Sequence, residues 1–354
     1  MTQAVSSPSP VSPSLAPSLA PSLAPSPTPS PSVAATALRP ADASASASRD
    51  GTLQRTLMGL QRLRWQAGSM LVPAATARRL EQLWFCPPRA ALTSAARHAL
   101  DGARADWALV TGHGPSRRVR VYRWGSAGPV VLLAHGWGGH AGQWHAVIDG
   151  LLAAGMRVVA FDALSHGASD AGTRGAAQTS VLEMSRSLLA AAWHAGPVHA
   201  VVAHSLGGAA AALALREGLP ARAAVLLGAP ADMRAACAGL AWQLGVAPAV
   251  LARMQRHSER WLGMPWSAFN VPDLGRACAV PPTLVIHDRD DKEVRWEDGA
   301  AIAGAWPGAR LETTTGLGHR RILSDPAVIQ RIAEFIRPPS GPRQAPVSAG
   351  LALA

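Results

Sequence analysis

The chain has 354 residues, 48% of them hydrophobic, with 33 Lys+Arg against 22 Asp+Glu and a net charge of +11. That length and apolar content suit one large core or two modest domains. The basic excess is almost all arginine, Lys292 being the lone lysine; it is scattered and has no nucleic-acid-binding signature beside it, which argues against a DNA or RNA partner.

Residues 1–50 are rich in Ser, Pro and Ala, with P-S-L-A repeating from Pro13 to Ala24. Proline blocks regular structure and large apolar side chains are scarce, so this reads as a disordered tail. Residues 51–104 read as a helical extension. Leu53, Leu57, Leu60, Leu63 and Met70 fall near helical spacing among Arg55, Arg62 and Arg64, and Pro73 restarts the helix before Leu80, Leu83 and Trp84. Such a basic amphipathic stretch can lie on a membrane surface. The expectation here is that its apolar face packs on its own domain.

Strands follow at 106–111 and 117–124, joined as a hairpin by the G-H-G-P turn at Gly112–Pro115. Val130 to Ala134 is a continuous apolar run, as a central strand should be, and leads into H-G-W-G-G at His135. Further strands are expected at 157–161, 198–203, 223–227, 283–287 and 309–314. Helices are expected at 143–154, 178–195, 209–216, 298–306 and 325–336. This alternation predicts an α/β fold: a mostly parallel central sheet flanked by helices, built from 105–230 and 281–337. The segment 231–280 interrupts the pattern with helical composition and Trp242, Trp261 and Trp266, and reads as a small helical cap. Residues 338–354 read as a flexible tail.

Cys86, Cys237 and Cys278 are far apart and have no metal-ligand spacing, so they read as free thiols of a reducing compartment. The first residues lack the features of a secretion signal, and no stretch is long and apolar enough to span a bilayer. A cytoplasmic protein is the expectation.

The chemistry is expected at the ends of strands. In V-H-A-V-V-A-H-S-L-G-G, Val198–Gly208, an apolar strand turns sharply into an alanine-rich helix with Ser205 at the turn. Small residues two away on either side, Ala203 and Gly207, suit a strained turn where strand and helix crowd together. A serine nucleophile needs a base, and the base needs an orienting acid. Of 12 histidines, His319 alone stands between the last short strand and the last helix. Asp291 is the favoured acid, with Asp290 and, after the 223–227 strand, Asp232 as alternatives; Asp288 shares the same loop. Two N–H groups must stabilise the oxyanion, and Leu206 and Trp137 are the candidates. His135, His204, Asp162 and His166 read as structural.

Five motifs in this order resemble the α/β-hydrolase superfamily, in particular its bacterial esterase-like serine hydrolases. They are H-G-W-G-G from His135, F-D-A-L-S-H-G-A-S-D from Phe161, A-H-S-L-G-G from Ala203, H-D-R-D-D-K-E-V from His287 and G-L-G-H-R-R-I-L from Gly316. The chain departs from the family at Ala203, where glycine is usual, and at Asp288, where the family often has glycine. The resemblance implies Ser205 as nucleophile, His319 as base and Asp291 as acid. The expected activity is hydrolysis of carboxylic esters, with no metal or organic cofactor, on a small ester or acyl substrate that the Trp- and Leu-rich cap would favour as apolar. An acyltransferase or peptidase on the same triad, or a non-catalytic binding protein on a hydrolase scaffold, are the alternatives. The sequence leaves oligomeric state open.

Overall fold

A computed structural model describes residues 43–111 and 115–338, with side chains from residue 57 onward. Residues 112–114 of the expected hairpin turn at Gly112–Pro115, most of the 1–50 tail and nearly all of the 338–354 tail lie outside the described residues. The chain divides into two units, Met1–Gln54 and Arg55–Ala354. Of the first, only 43–54 is described, as the opening of a helix; apart from that opening, everything below concerns the second.

That helix, α1, spans Ala43–Leu71 and so begins inside the stretch read as tail; its Ala/Ser alternation carries no helix breaker. Pro73 opens α2 (Pro73–Phe85) at a position where its missing N–H costs nothing. A short α3 (Ser94–Asp101) was not foreseen. Its signal was a cap: Thr93 Oγ1 accepts the Ala96 N–H at 3.1 Å. The sheet then begins with β1 (Arg104–Val110), β2 (Arg117–Trp124) and β3 (Val130–Ala134). After it come α4 (His145–Ala153), β4 (Arg157–Phe161), α5 (Val181–Ala195), β5 (Val198–His204), α6 (Leu206–Arg216) and β6 (Ala223–Leu227). The 231–280 segment supplies α7 (Met233–Leu244), α8 (Pro248–Leu262) and α9 (Val271–Ala277). The chain re-enters the sheet with β7 (Thr283–Asp288), α10 (Trp296–Ala305), β8 (Arg310–Thr314), a one-turn α11 (Gly318–Arg321) and α12 (Pro326–Phe335).

The eight strands lie in the order β1-β2-β4-β3-β5-β6-β7-β8. The first two pairings, β1 with β2 and β2 with β4, are antiparallel, and the rest are parallel. The central strands are apolar on both faces because both faces are covered. On one face Leu132, Val201, Leu226 and Val285 meet α5, α6 and the N-terminal helices; on the other Val131, Val202, Val225 and Ile286 meet α4 and α12. The strands β3, β5, β6 and β7 run parallel, so their C-terminal ends share one edge, where such sheets place their sites.

The cysteines are free and Cys237 is buried. Burial pushes its thiol up to about 12, which makes it a packing residue rather than a reactive one. Among the described residues, no helix is long and apolar enough to cross a membrane.

Candidate active site

Ser205 sits between β5 and α6 with φ 54 and ψ −130, one of two non-glycine residues with positive φ among those described. A side chain is held there only by over-determined surroundings. The Ser205 N–H donates to Leu227 O on β6, and Ser205 O accepts the Gly208 N–H, both at 2.8 Å. Gly207 has to be glycine: a Cβ would stand 2.5 Å from both Ala134 O and His135 O, which are backbone atoms that cannot step aside. At Ala203 a methyl group is fully buried in the core, so the departure from glycine is accommodated.

The loop after β3 folds back over this turn, and a Cβ on Gly136 would come 2.8 Å from Ser205 Cβ. Two histidines hold the loop. His135 donates from Nδ1 to Gly136 O at 2.8 Å and accepts the Ala163 N–H at Nε2 at 2.9 Å. His166 accepts the Gly138 N–H at Nε2, 3.1 Å, and donates to Leu164 O. Each ring has one donating and one accepting nitrogen, so each is neutral. Burial pushes them down to about 4 and about 3, with His140 adding to the shift at His135 and His135 adding to that at His166. Asp162 ties the same region by accepting the N–H groups of Ala141 (2.7 Å) and Ala168 (2.9 Å). These side chains are occupied with holding backbone, as the sequence reading had them. Among the described residues, the N–H groups of Trp137 and Leu206 donate to no protein acceptor; that of Leu206 is one of the open donors of the α6 N-terminus.

Past β7, Asp291 Oδ2 lies 2.7 Å from His319 Nδ1. Its other oxygen accepts the Glu293 and Val294 N–H groups at 2.8 and 2.9 Å, and His287 Nε2 stands 3.5 Å from Oδ2. Burial opposes the charge on Asp291. Hydrogen bonds from His287, His319 and the Val294 N–H outweigh that cost and hold the carboxyl below the usual carboxylate range. The other acids are engaged elsewhere. Asp288 accepts Thr314 Oγ1 and the Leu317 N–H, Asp290 accepts the Gly316 N–H, and Asp232 caps α7. Only Asp291 of these four touches His319. The rings of His204 and His319 stand 4.6 Å apart, and His204 Nε2 donates to His319 O at 2.8 Å. Ser205 Oγ and His319 Nε2 are not hydrogen-bonded to each other; Nε2 lies 4.0 Å from Glu293 Oε2.

Ser205 and Leu206 form part of the wall of a cavity of about 280 Å³. Apart from Ser180 the rest is apolar: Trp137, Met233, Leu240, Trp266 and Phe269 among others. The 231–280 segment contributes Met233, Ala236, Leu240, Leu262, Trp266 and Phe269 to this lining, whereas Trp242 points outward, 72% exposed. The N-terminal helix was not foreseen as a wall. Leu83, Trp84 and Phe85 at the end of α2 line the same cavity, and Phe85 meets Trp261 edge-on with ring centroids 4.8 Å apart. The buried Glu81 carboxylate fastens α2 in place. It pairs with Arg174 at 3.1 Å, accepts Trp261 Nε1 at 3.2 Å and is hydrogen-bonded to His257 Nδ1. The signal was present as a lone carboxylate in an arginine-rich helix.

The alpha/beta hydrolase family profile matches residues 131–331, more than half of the chain. Among solved structures, the chain is similar to Rv0554 from Mycobacterium tuberculosis (21% identity over 65% of this chain and 98% of that one, TM-score 0.50). It is also similar to the esterase RhEst1 from a Rhodococcus species (21%, 66% and 98%, TM-score 0.48) and to a bromoperoxidase from Bacillus anthracis (17%, 66% and 99%, TM-score 0.49). Among curated proteins no sequence matches the chain. At 21% identity the likeness to Rv0554 speaks for the fold alone.

Proposed function

The chain is a hydrolase of the alpha/beta hydrolase family, and from that premise we propose that it cleaves carboxylic esters of apolar acids or alcohols through an acyl-enzyme on Ser205. One observation carries this reading. A serine in a strained turn opens onto an apolar cavity, at the sheet edge that also bears the hydrogen-bonded Asp291–His319 pair.

The steps follow from the groups present. Ser205 Oγ attacks the ester carbonyl carbon as its proton passes to His319 Nε2. The carbonyl oxygen, now negative, takes hydrogen bonds from the Leu206 and Trp137 N–H groups, each such donor being worth about 2.7–4 kcal/mol of barrier. Asp291 keeps the proton of the resting imidazole on Nδ1 and stabilises the imidazolium. His319 then protonates the leaving alcohol. Water, deprotonated by the same ring, attacks the acyl carbon and frees the acid and Ser205. The Oγ to Nε2 contact is one that commonly tightens only with substrate in place. No step draws on a group beyond these side chains and backbone.

A fluorophosphonate probe tests the nucleophile. Wild-type protein is expected to be labelled and Ser205→Ala is not; an unlabelled wild type, or equal labelling of both, overturns the reading. A series of nitrophenyl esters of increasing acyl length tests the substrate class. Preference for apolar chains is expected, and preference for charged acyl groups overturns it. Labelling without ester turnover directs the assignment to acyl transfer or peptide hydrolysis on the same serine.

A further inference from the structure

The helix α1 has two apolar faces, and only one has a partner among the described residues. Trp65 and Ser69 are buried: Ser69 Oγ accepts the Ala247 N–H at 3.2 Å, and Arg62 donates to Trp242 O and Gln243 O beside them. The other face carries Leu57, Leu60, Leu63, Met70 and Leu71 at helical spacing, and all are exposed, Met70 and Leu71 at 83% and 80%. This is the reverse of the packing expected from the sequence. Leu57, Leu60 and Leu63 line a groove with α2 whose far wall includes Val72, Ala75 and Arg79. One turn beyond Arg79 on the same row of α2 is Leu83, itself exposed and a wall of the Ser205 cavity. The exposed apolar face thus runs to the edge of the site.

Its charge is one-sided. From Gly51 to Thr93 the sequence holds six arginines and one carboxylate, Glu81, which is buried and paired. Arg64, Arg78 and Arg79 are exposed on or beside the apolar row and make no ion pair among the described residues. Leucine and methionine flanked by arginine, with no exposed acid among the described side chains of α1 and α2, is the composition of helices that lie in the interface of an anionic bilayer. We propose that the α1–α2 face docks the protein on an anionic lipid surface, with Leu57, Leu60, Leu63, Met70 and Leu71 entering the acyl boundary and Arg64, Arg78 and Arg79 meeting the headgroups. A protein partner or a second copy would cover the apolar row equally well, but neither accounts for a flank without an exposed carboxylate. In this pose Leu83 turns the cavity edge toward the lipid.

The test is co-sedimentation of the full chain with vesicles of phosphatidylcholine alone and of phosphatidylcholine mixed with phosphatidylglycerol. Binding to the mixed vesicles is expected, weakened by added salt. A Leu60→Glu, Leu63→Glu double variant is expected to bind roughly tenfold less or weaker, and Arg64→Ala with Arg78→Ala to lose the preference for phosphatidylglycerol. These side chains are exposed, so the thermal unfolding of each variant is expected to match that of the parent. Failure to bind either vesicle overturns the proposal, as does equal binding by the Leu60→Glu, Leu63→Glu variant. A parent dimer that this variant converts to monomer, without vesicle binding, assigns the face to a second copy and also overturns it. None of these readouts uses ester turnover, so failure here leaves the assignment of Ser205 standing.

Discussion

His204 grips the backbone of His319 rather than its ring: Nε2 donates 2.8 Å to His319 O while the two rings lie 4.6 Å apart. His204 is the residue just before Ser205, so the same short segment carries the serine and restrains the loop that brings the histidine to it. Burial, with His319 nearby, pushes His204 down to about 3, and it stays neutral in ordinary buffers. His204→Phe keeps a ring of similar shape and loses the donor. Its kcat is expected to fall roughly 10–100-fold with little change in KM, as misplacement of a reacting group does. His204→Gln, which can still donate, is expected to recover part of the loss, and the pH profile should keep its shape in both. Steady-state kinetics on an ester that the wild type turns over checks each point.

Asp291→Asn is expected to lower kcat by roughly 10⁴-fold, because an amide stabilises the wrong imidazole tautomer. Asp290→Asn and Asp232→Asn should each cost less than about tenfold, since those carboxylates hold backbone N–H groups away from His319. A larger loss at Asp290 than at Asp291 would reassign the acid.

Asp291 also leaves a mark on stability. Its carboxyl is held below the ordinary range in the folded chain, so the unfolded chain binds its proton first as pH falls. Its contribution is therefore fully present above about pH 4, the ordinary carboxylate value, and is lost as acid takes the pH down toward the folded value. Unfolding midpoints in urea, measured from pH 5 downward, should drop less steeply for Asp291→Asn than for the wild type.

The sheet was readable in the sequence because its central strands are continuous apolar runs with no competing period. Val130–Ala134, Arg157–Phe161 and Ala223–Leu227 were foreseen to the residue. The candidate site was readable because chemistry at strand ends leaves short motifs, and the structure brings Asp291 against His319 as the order of the motifs suggested. The roles of the N-terminal helices were not readable. Periodicity reveals that a helix has an apolar face but not what the face meets, and α1 meets the body of the fold with Trp65 and Ser69 rather than with its leucines. Nothing in the sequence beside Glu81 marks its burial, because its three donors come from 93, 176 and 180 residues later.

Gly207→Ala is expected to destabilise the fold by about 1–3 kcal/mol or more, since its Cβ would press on two backbone oxygens that cannot move without shifting β3. Gly239→Ala, where nothing lies within 4 Å of the added carbon, is expected to be neutral or slightly stabilising. Urea unfolding of the pair separates crowding from the general effect of replacing glycine in a helix.

Glu81→Ala is expected to cost about 1–3 kcal/mol, because it strands the donors that converge on a buried carboxylate. Glu81→Gln, which keeps the shape and one acceptor, should cost less. Differential scanning calorimetry measures both. If Glu81 fastens α2 against α8, the calorimetric loss should come with a weaker preference among acyl chain lengths.

Separate stretches of chain meet at the cavity: the β5–α6 turn brings Ser205 and Leu206, the 231–280 segment brings Met233, Leu240, Trp266 and Phe269, and α2, which precedes the whole sheet, brings Leu83, Trp84 and Phe85. In the proposed reaction, chemistry and selectivity would therefore be inherited on different segments. Changes in the leading helices can retune what fits beside Ser205 without disturbing the elbow or its histidine, so relatives that share every group around the serine can still part company in diet.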